Sequence, residues 1–147
     1  MRLCFAIILV LLSITPDAQS GAKEEFFITL ERIGCLGSCP DYKLTIDGNG
    51  TVRYEGHAYV MVEDIRKTKI PSSAVQILIE ELRNQDFFHW PEKQEVCVDF
   101  PEVHLTATLN GQRKHVLEGC NTPGKVLQFA KEVDRISGAE RWVGKRH

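Results

Sequence analysis

The chain has 147 residues, 43% of them hydrophobic, and its 18 Lys and Arg against 20 Asp and Glu leave a formal charge of −2. That length suits one domain with a real core. With no basic patch and no aromatic stripe set among Lys and Arg, the composition argues against nucleic-acid binding.

The N-terminus reads as an address. Arg2 precedes the apolar run LCFAIILVLLSI, and TPDAQSGA follows with the small-x-small site Ala18-Gln19-Ser20. A basic start, a short apolar core and small residues at the cut are the pattern of a secretory signal peptide. The run falls short of the roughly 20 apolar residues of a membrane span. Residues 1–20 are therefore expected to be removed, leaving a single domain over 21–147 with no stable membrane span. Cys4 lies at the start of the apolar run rather than after it, which does not fit a lipoprotein. Arg2 and Asp17 cancel, so the mature chain keeps the charge of −2. Four cysteines remain, Cys35, Cys39, Cys97 and Cys120, and an even count in an exported chain of this size predicts two disulfides, with three possible connectivities.

No internal repeat, low-complexity tract or linker interrupts the mature chain. In EEFFITLERIG, Phe26, Ile28 and Leu30 alternate with polar groups, the pattern of a half-buried strand. YKLTI sets Tyr42, Leu44 and Ile46 on one face. DGNG supplies turn chemistry, and TVRYEG returns with Val52 and Tyr54 inward. AYVMV and RKTKI read as two further short strands about the acidic turn Glu63–Asp64. Pro71 closes this segment. Ser73 with Gln76 resembles a capping box, and Val75, Leu78, Ile79 and Leu82 give an amphipathic helix to about Asp86. The aromatic cluster Phe87, Phe88, His89 and Trp90 is expected to pack on the sheet edge as core rather than as a docking patch. VHLTATL and QRKHVLEG alternate around Asn110–Gly111, the strongest short hairpin signal. Thr122 caps a second helix with Pro123 at its first position. Val126, Phe129, Ala130 and Val133 form its stripe, and Ser137–Gly138 ends it. Trp142 in the tail docks. The fold class is α+β: an antiparallel sheet of about six or seven strands, built of hairpins, with two helices packed on one face. No strand–helix unit carries a glycine-rich phosphate loop, which excludes a dinucleotide or P-loop site.

Four stretches together resemble a known family: ITLERIGCLGSCPDYKLTIDGNGTVRYEG, FF after the first helix, DFP ahead of the late hairpin, and ERWVG at the end. It is a family of small exported bacterial domains of unknown function with a C-x-G-x-C-P-x-Y loop, a G-x-V-x-Y-x-G hairpin and a terminal R-W-V-G. The resemblance implies an α+β fold and an extracytoplasmic setting, periplasmic or secreted, and implies no activity. Cys97 and Cys120 are not part of that pattern.

Cys35 and Cys39 admit three readings. A redox pair of the thioredoxin kind is C-x-x-C at a helix N-terminus; this is C-x-x-x-C between strands. A zinc site needs four thiolates, which an exporting compartment oxidises. A staple at the root of the first two strands fits best, worth about 2 kcal/mol for so short a loop, with about 3.5 kcal/mol for a Cys97–Cys120 closure. No metal and no cofactor is expected. The acid/base candidates are Asp41, Asp99, His104 and His115. If Asn110–Gly111 is a two-residue turn, Thr106 faces His115 and His104 faces Leu117, which puts both histidines on the face away from Leu105 and Val116, the solvated one. Asp99, before Phe100–Pro101, reads as a turn residue. Leu36, Gly37 and Ser38, with Asp41 and Tyr42, form a candidate binding loop, although a buried Tyr42 beside a solvated Asp41 is the plainer reading. No nucleophile elbow, H-E-x-x-H or paired-carboxylate signature accompanies them. The sequence thus points to a non-enzymatic binding or interaction module, one version being an inhibitor or modulator of a secreted enzyme with another extracytoplasmic protein as partner. An enzyme using Asp99 with His104 or His115, and a structural envelope protein, are the alternatives.

Overall fold

A computed structural model describes residues 24–92, 101–118 and 124–144. The proposed signal segment, Cys97, Asp99, Cys120, Thr122 and Pro123 lie outside the described residues. Six strands form one antiparallel sheet: β1 (Phe26–Ile33), β2 (Asp41–Asp47), β3 (Thr51–Ala58), β4 (Ile65–Lys69), β5 (Glu102–Leu109) and β6 (Gln112–Glu118). Their spatial order is β4-β3-β2-β1-β5-β6. The helices are α1 (Ser72–Asn84), α2 (Lys125–Ser137) and the short α3 (Glu140–Val143), with a single 3₁₀ turn at Phe87–His89. The fold is α+β, as the hairpin periodicities require.

Period-two alternation puts the apolar set on one face. Phe26, Ile28 and Leu30 of β1, Tyr42, Leu44 and Ile46 of β2, Val52 and Tyr54 of β3, Val103, Leu105, Ala107 and Leu109 of β5, and Val116 of β6 are all buried. α1 closes the core with Val75, Leu78, Ile79 and Leu82, and α2 with Val126, Phe129, Ala130 and Val133. Most of the aromatic cluster is core, as expected: Phe87 is fully buried, its ring 5.1 Å from Trp90 and 6.0 Å from Phe129. Phe88 packs against it half-buried, but His89 is exposed and pairs with Asp86 instead. The Trp90 indole donates to the Gln85 carbonyl at 2.7 Å. The Asn110–Gly111 turn has φ of 49° and 81° and holds the register Thr106↔His115 and His104↔Leu117. Two positive φ angles match the right-handed twist of the strands, which is why Asn-Gly selects this hairpin.

Three local expectations are corrected. α1 starts at Ser72 on a Pro71 N-cap with no side-chain cap bond, so Ser73 and Gln76 form no capping box. That helix ends at Asn84, with Asp86 already left-handed at φ 53°. AYVMV is not a strand. β3 runs to Ala58, Tyr59 turns left-handed at φ 54°, and residues 59–64 fold back as a strap. The strap's apolar pattern is real, since Val60 and Val62 pack against the core, but its backbone pairs elsewhere. Met61 N–H donates to the Val143 carbonyl at 3.2 Å and Val62 N–H to the Trp142 carbonyl at 3.0 Å.

The strap depends on an absent side chain. A Cβ on Gly56 would lie 1.9 Å from the Val62 carbonyl oxygen, so only glycine lets the chain cross β3 so closely. Trp142 docks beneath the crossing, its ring 5.2 Å from Tyr54.

Candidate functional site

The sheet's inner face is apolar until the end of β1. There the alternation that buries Phe26, Ile28 and Leu30 continues to Arg32, and the guanidinium goes inside. The stripe of α2 does the same, burying Asp134 beside Val133. The two meet at 2.7 Å, Arg32 Nη2 to Asp134 Oδ2. Tyr42, opposite Arg32 on β2, completes the group: its hydroxyl donates to Asp134 Oδ1 at 2.7 Å and accepts from Arg32 Nε at 2.7 Å. Burial disfavours the Arg32 cation, but Asp134 and Tyr42 more than offset it and hold the guanidinium above its ordinary range. Burial first, then the Asp134 carboxylate, drive the Tyr42 phenol far above that of a free tyrosine. Next to it, Tyr54 is pushed up to about 12 by burial and by Asp134 and Glu63, and among the described residues its buried hydroxyl has no hydrogen-bond partner.

This network floors a cleft of about 860 Å³ lined by Tyr42, Met61, Lys131, Asp134, Glu140, Arg141, Val143 and Gly144. β2, the strap, α2 and α3 each contribute a wall. The strap brings Met61, and Gly144, at φ 93°, leaves room for it: a Cβ there would lie 2.7 Å from Met61 Cγ. Arg141 lies over the Trp142 ring at 4.4 Å. Among the described residues neither Lys131 nor Arg141 has a salt-bridge partner, whereas the Asp134 charge is met by Arg32. Lys131, Arg141 and Glu140 together leave the cleft one net positive charge.

The loop between β1 and β2 sits at the same end of the sheet. Cys35 and Cys39 are bonded, with Cα atoms 5.5 Å apart. This bridge closes the connection between the strands that carry Arg32 and Tyr42. Leu36, Gly37 and Ser38 are exposed at its tip, Leu36 by 86%. Asp41 accepts from the Gly34 N–H at 3.2 Å and contacts His57 Nδ1 at 2.7 Å, while Tyr42 is turned into the core. The candidate loop therefore divides three ways: Leu36, Gly37 and Ser38 form an exposed tip, Asp41 ties the loop's base to Gly34 and His57, and Tyr42 lies in the cleft floor.

His104 and His115 do come together. His104 Nδ1 and His115 Nε2 are 3.2 Å apart, and His104 Nε2 is 3.0 Å from Glu102 Oε2. They stand on the face of the sheet away from the helices, and neither lines the cleft. Among the described residues no group of three or more His, Cys, Asp or Glu is arranged to hold a metal. No helix among them is long and apolar enough to cross a membrane.

Arg32, Lys131, Asp134, Glu140 and Arg141 were not among the residues singled out from sequence. The signal for two of them was present: Arg32 occupies an inward position of a strand and Asp134 an inward position of a helix, with opposite charges. Such a break in both apolar patterns marks a buried pair.

A family model described as a domain of unknown function (DUF6438) matches residues 26–137. The chain belongs to this family. The match begins with β1 and ends with the last residue of α2, so it spans the sheet, Arg32, Tyr42, Lys131 and Asp134. The C-terminal wall of the cleft, from Glu140 to Gly144, lies beyond it. Among curated proteins none is significantly similar to the chain.

Proposed function

We propose that this DUF6438 chain is an exported binding domain that holds a small monoanion with an apolar body in the cleft above Tyr42, without transforming it. One observation carries the reading: Lys131 and Arg141 line a cleft whose floor charge is already neutralised by the Arg32–Asp134 pair. Lys131 and Arg141, which form no salt bridge among the described residues, attract an anion to this concave site, Glu140 limits the excess to one charge, and Met61 and Val143 supply apolar contact. The disulfide is compatible with an oxidising compartment outside the cytoplasm. In the enzyme alternative, Asp99 lies outside the described residues, and the two histidines sit on the open face rather than beside the cleft. General acid–base work needs groups within hydrogen-bond reach of one substrate.

The test is an NMR titration of the oxidised mature protein with N-acetyl-leucine, with N-acetyl-leucinamide as the uncharged control. Amides of Met61, Lys131 and Arg141 should shift with the acid and not with the amide, and Lys131→Ala combined with Arg141→Ala should abolish the shifts. Equal response to both probes, or none to either, rejects the reading.

A second reading is favoured by the exposure of Leu36 on a loop whose ends are fixed by the bridge. A pre-shaped tip loses little ordering entropy on association, which suits an inhibitor or modulator of a secreted hydrolase. Leu36→Asp would abolish that interaction and leave the response to N-acetyl-leucine intact.

A further inference from the structure

Glu102, His104 and His115 form a chain of contacts on the uncovered face of the sheet, and nothing in the cleft reading uses them. β5 and β6 pair so that His104 and His115 are diagonal neighbours on one face, their ring centroids 5.4 Å apart. A carboxylate only accepts, so the 3.0 Å contact of Glu102 Oε2 with His104 Nε2 puts the His104 proton on Nε2. His104 Nδ1 therefore accepts the hydrogen bond that His115 Nε2–H donates at 3.2 Å, and a cation takes the place of that proton as His115 moves its proton to Nδ1. Two imidazole nitrogens bound to one divalent cation at about 2.0–2.1 Å each are separated by about 2.9 Å at a right angle and about 3.3 Å at the tetrahedral angle. The observed spacing falls inside that window, and a rotation of each ring by about 40° from the nitrogen–nitrogen line brings both lone pairs to a common point for a cation.

The surroundings suit it. A carboxylate on the far nitrogen of a ligating histidine fixes its tautomer and raises its basicity, which is the position Glu102 holds. Glu31 faces His104 from β1 and is paired with Lys43 at 2.6 Å, and Thr106 faces His115 from β5. His115 is exposed, leaving the remaining coordination positions to water.

We infer that His104 Nδ1 and His115 Nε2 form an open two-histidine chelate for a divalent transition cation of the zinc, nickel or copper class, with Glu102 as a positioning residue. Imidazole donors favour these metals over magnesium or calcium. The site is independent of the cleft.

Zinc binding to the oxidised mature protein, measured by competition with a chromophoric chelator, tests the inference. His104→Ala and His115→Ala should each weaken binding at least tenfold, and Glu102→Gln about tenfold, the usual effect of losing such a partner. All three positions lie on the open face, and a thermal melt verifies that each variant folds. Histidine ring ¹⁵N shifts give a second readout: zinc should move His104 Nδ1 and His115 Nε2, leaving His104 Nε2 protonated and shifting the His115 proton to Nδ1. Zinc affinity unchanged in the double histidine variant would assign binding to other groups and overturn the inference. So would the absence of zinc-dependent shifts at these two rings.

Discussion

Removing the Asp134 carboxylate leaves the Arg32 guanidinium buried without its counter-charge and takes an acceptor from Tyr42. Breaking a buried pair from one side costs about 3–5 kcal/mol, whereas replacing both partners with apolar groups of similar size is often neutral. Asp134→Ala should therefore lower unfolding free energy by about that amount in a denaturant titration, while Arg32→Met combined with Asp134→Leu should lose much less. Equal losses in the two variants would mean that the charges do not act as a pair. Glu118 gives a pH prediction. Burial raises its carboxyl above the ordinary range, against the opposing pull of the Leu127 N–H, Arg32 and Lys131. A carboxyl raised in the folded state contributes stability that is fully present below its unfolded pKa, about 4.3, and is lost as pH climbs through the folded value. Glu118→Gln does not titrate, so its stability relative to the native chain should rise with pH across this range and then level off. Thermal melts at a series of pH values check this; a flat difference would show that Glu118 is as well solvated folded as unfolded.

The strap is an element with the pattern of a strand and none of a strand's partners. Its amides go to the carbonyls of Trp142 and Val143, and its crossing of β3 is possible because Gly56 has no side chain. Gly56→Ala forces a methyl against the Val62 carbonyl, an overpacking that costs about 1–3 kcal/mol. Because the strap can lift, part of the strain should appear as local opening: amide exchange at Met61 and Val62 should accelerate in Gly56→Ala more than at Leu44 or Leu105 in the core. Uniform acceleration throughout would mean that the strap and the sheet open as one unit. Since Met61 lines the cleft, the same variant should weaken the N-acetyl-leucine response without touching Lys131 or Arg141.

At the scale of the molecule, α1 carries the chain from the edge strand β4 across the core to β5, which pairs with β1 in the middle of the sheet. The two sides are therefore joined by non-local pairing, and the short staple at one end of β1 and β2 constrains only its own loop. Four residues of sequence separation make the bridge worth about 2 kcal/mol in the chain-entropy picture. Cys35→Ser combined with Cys39→Ser should lower stability by about that much and leave the fold, read by circular dichroism, unchanged. Loss of folding would assign the bridge a larger role than local closure.

The alternating strands, the Asn-Gly hairpin and its register, the stripes of both long helices and the Cys35–Cys39 staple could all be read from sequence. Each is a local signal: a period of two or 3.6, a turn that needs positive φ, or two cysteines too close in the chain to miss one another. The AYVMV strap could not be read, because alternation reports which side chains are buried and not where the backbone amides find their carbonyls. The cleft escaped for a related reason. Lys131 and Arg141 look like ordinary surface cations in sequence, and Arg32 and Asp134 like interruptions of apolar runs. Arg32 and Asp134 are separated by about a hundred positions, and only the docking of α2 against the sheet brings them within 2.7 Å. Composition and periodicity determined a stapled α+β sheet with one covered face. Which charges were buried together, which were left to line a cleft, and which two histidines met on the open face were decided by tertiary packing, since these depend on contacts between elements that no local pattern encodes.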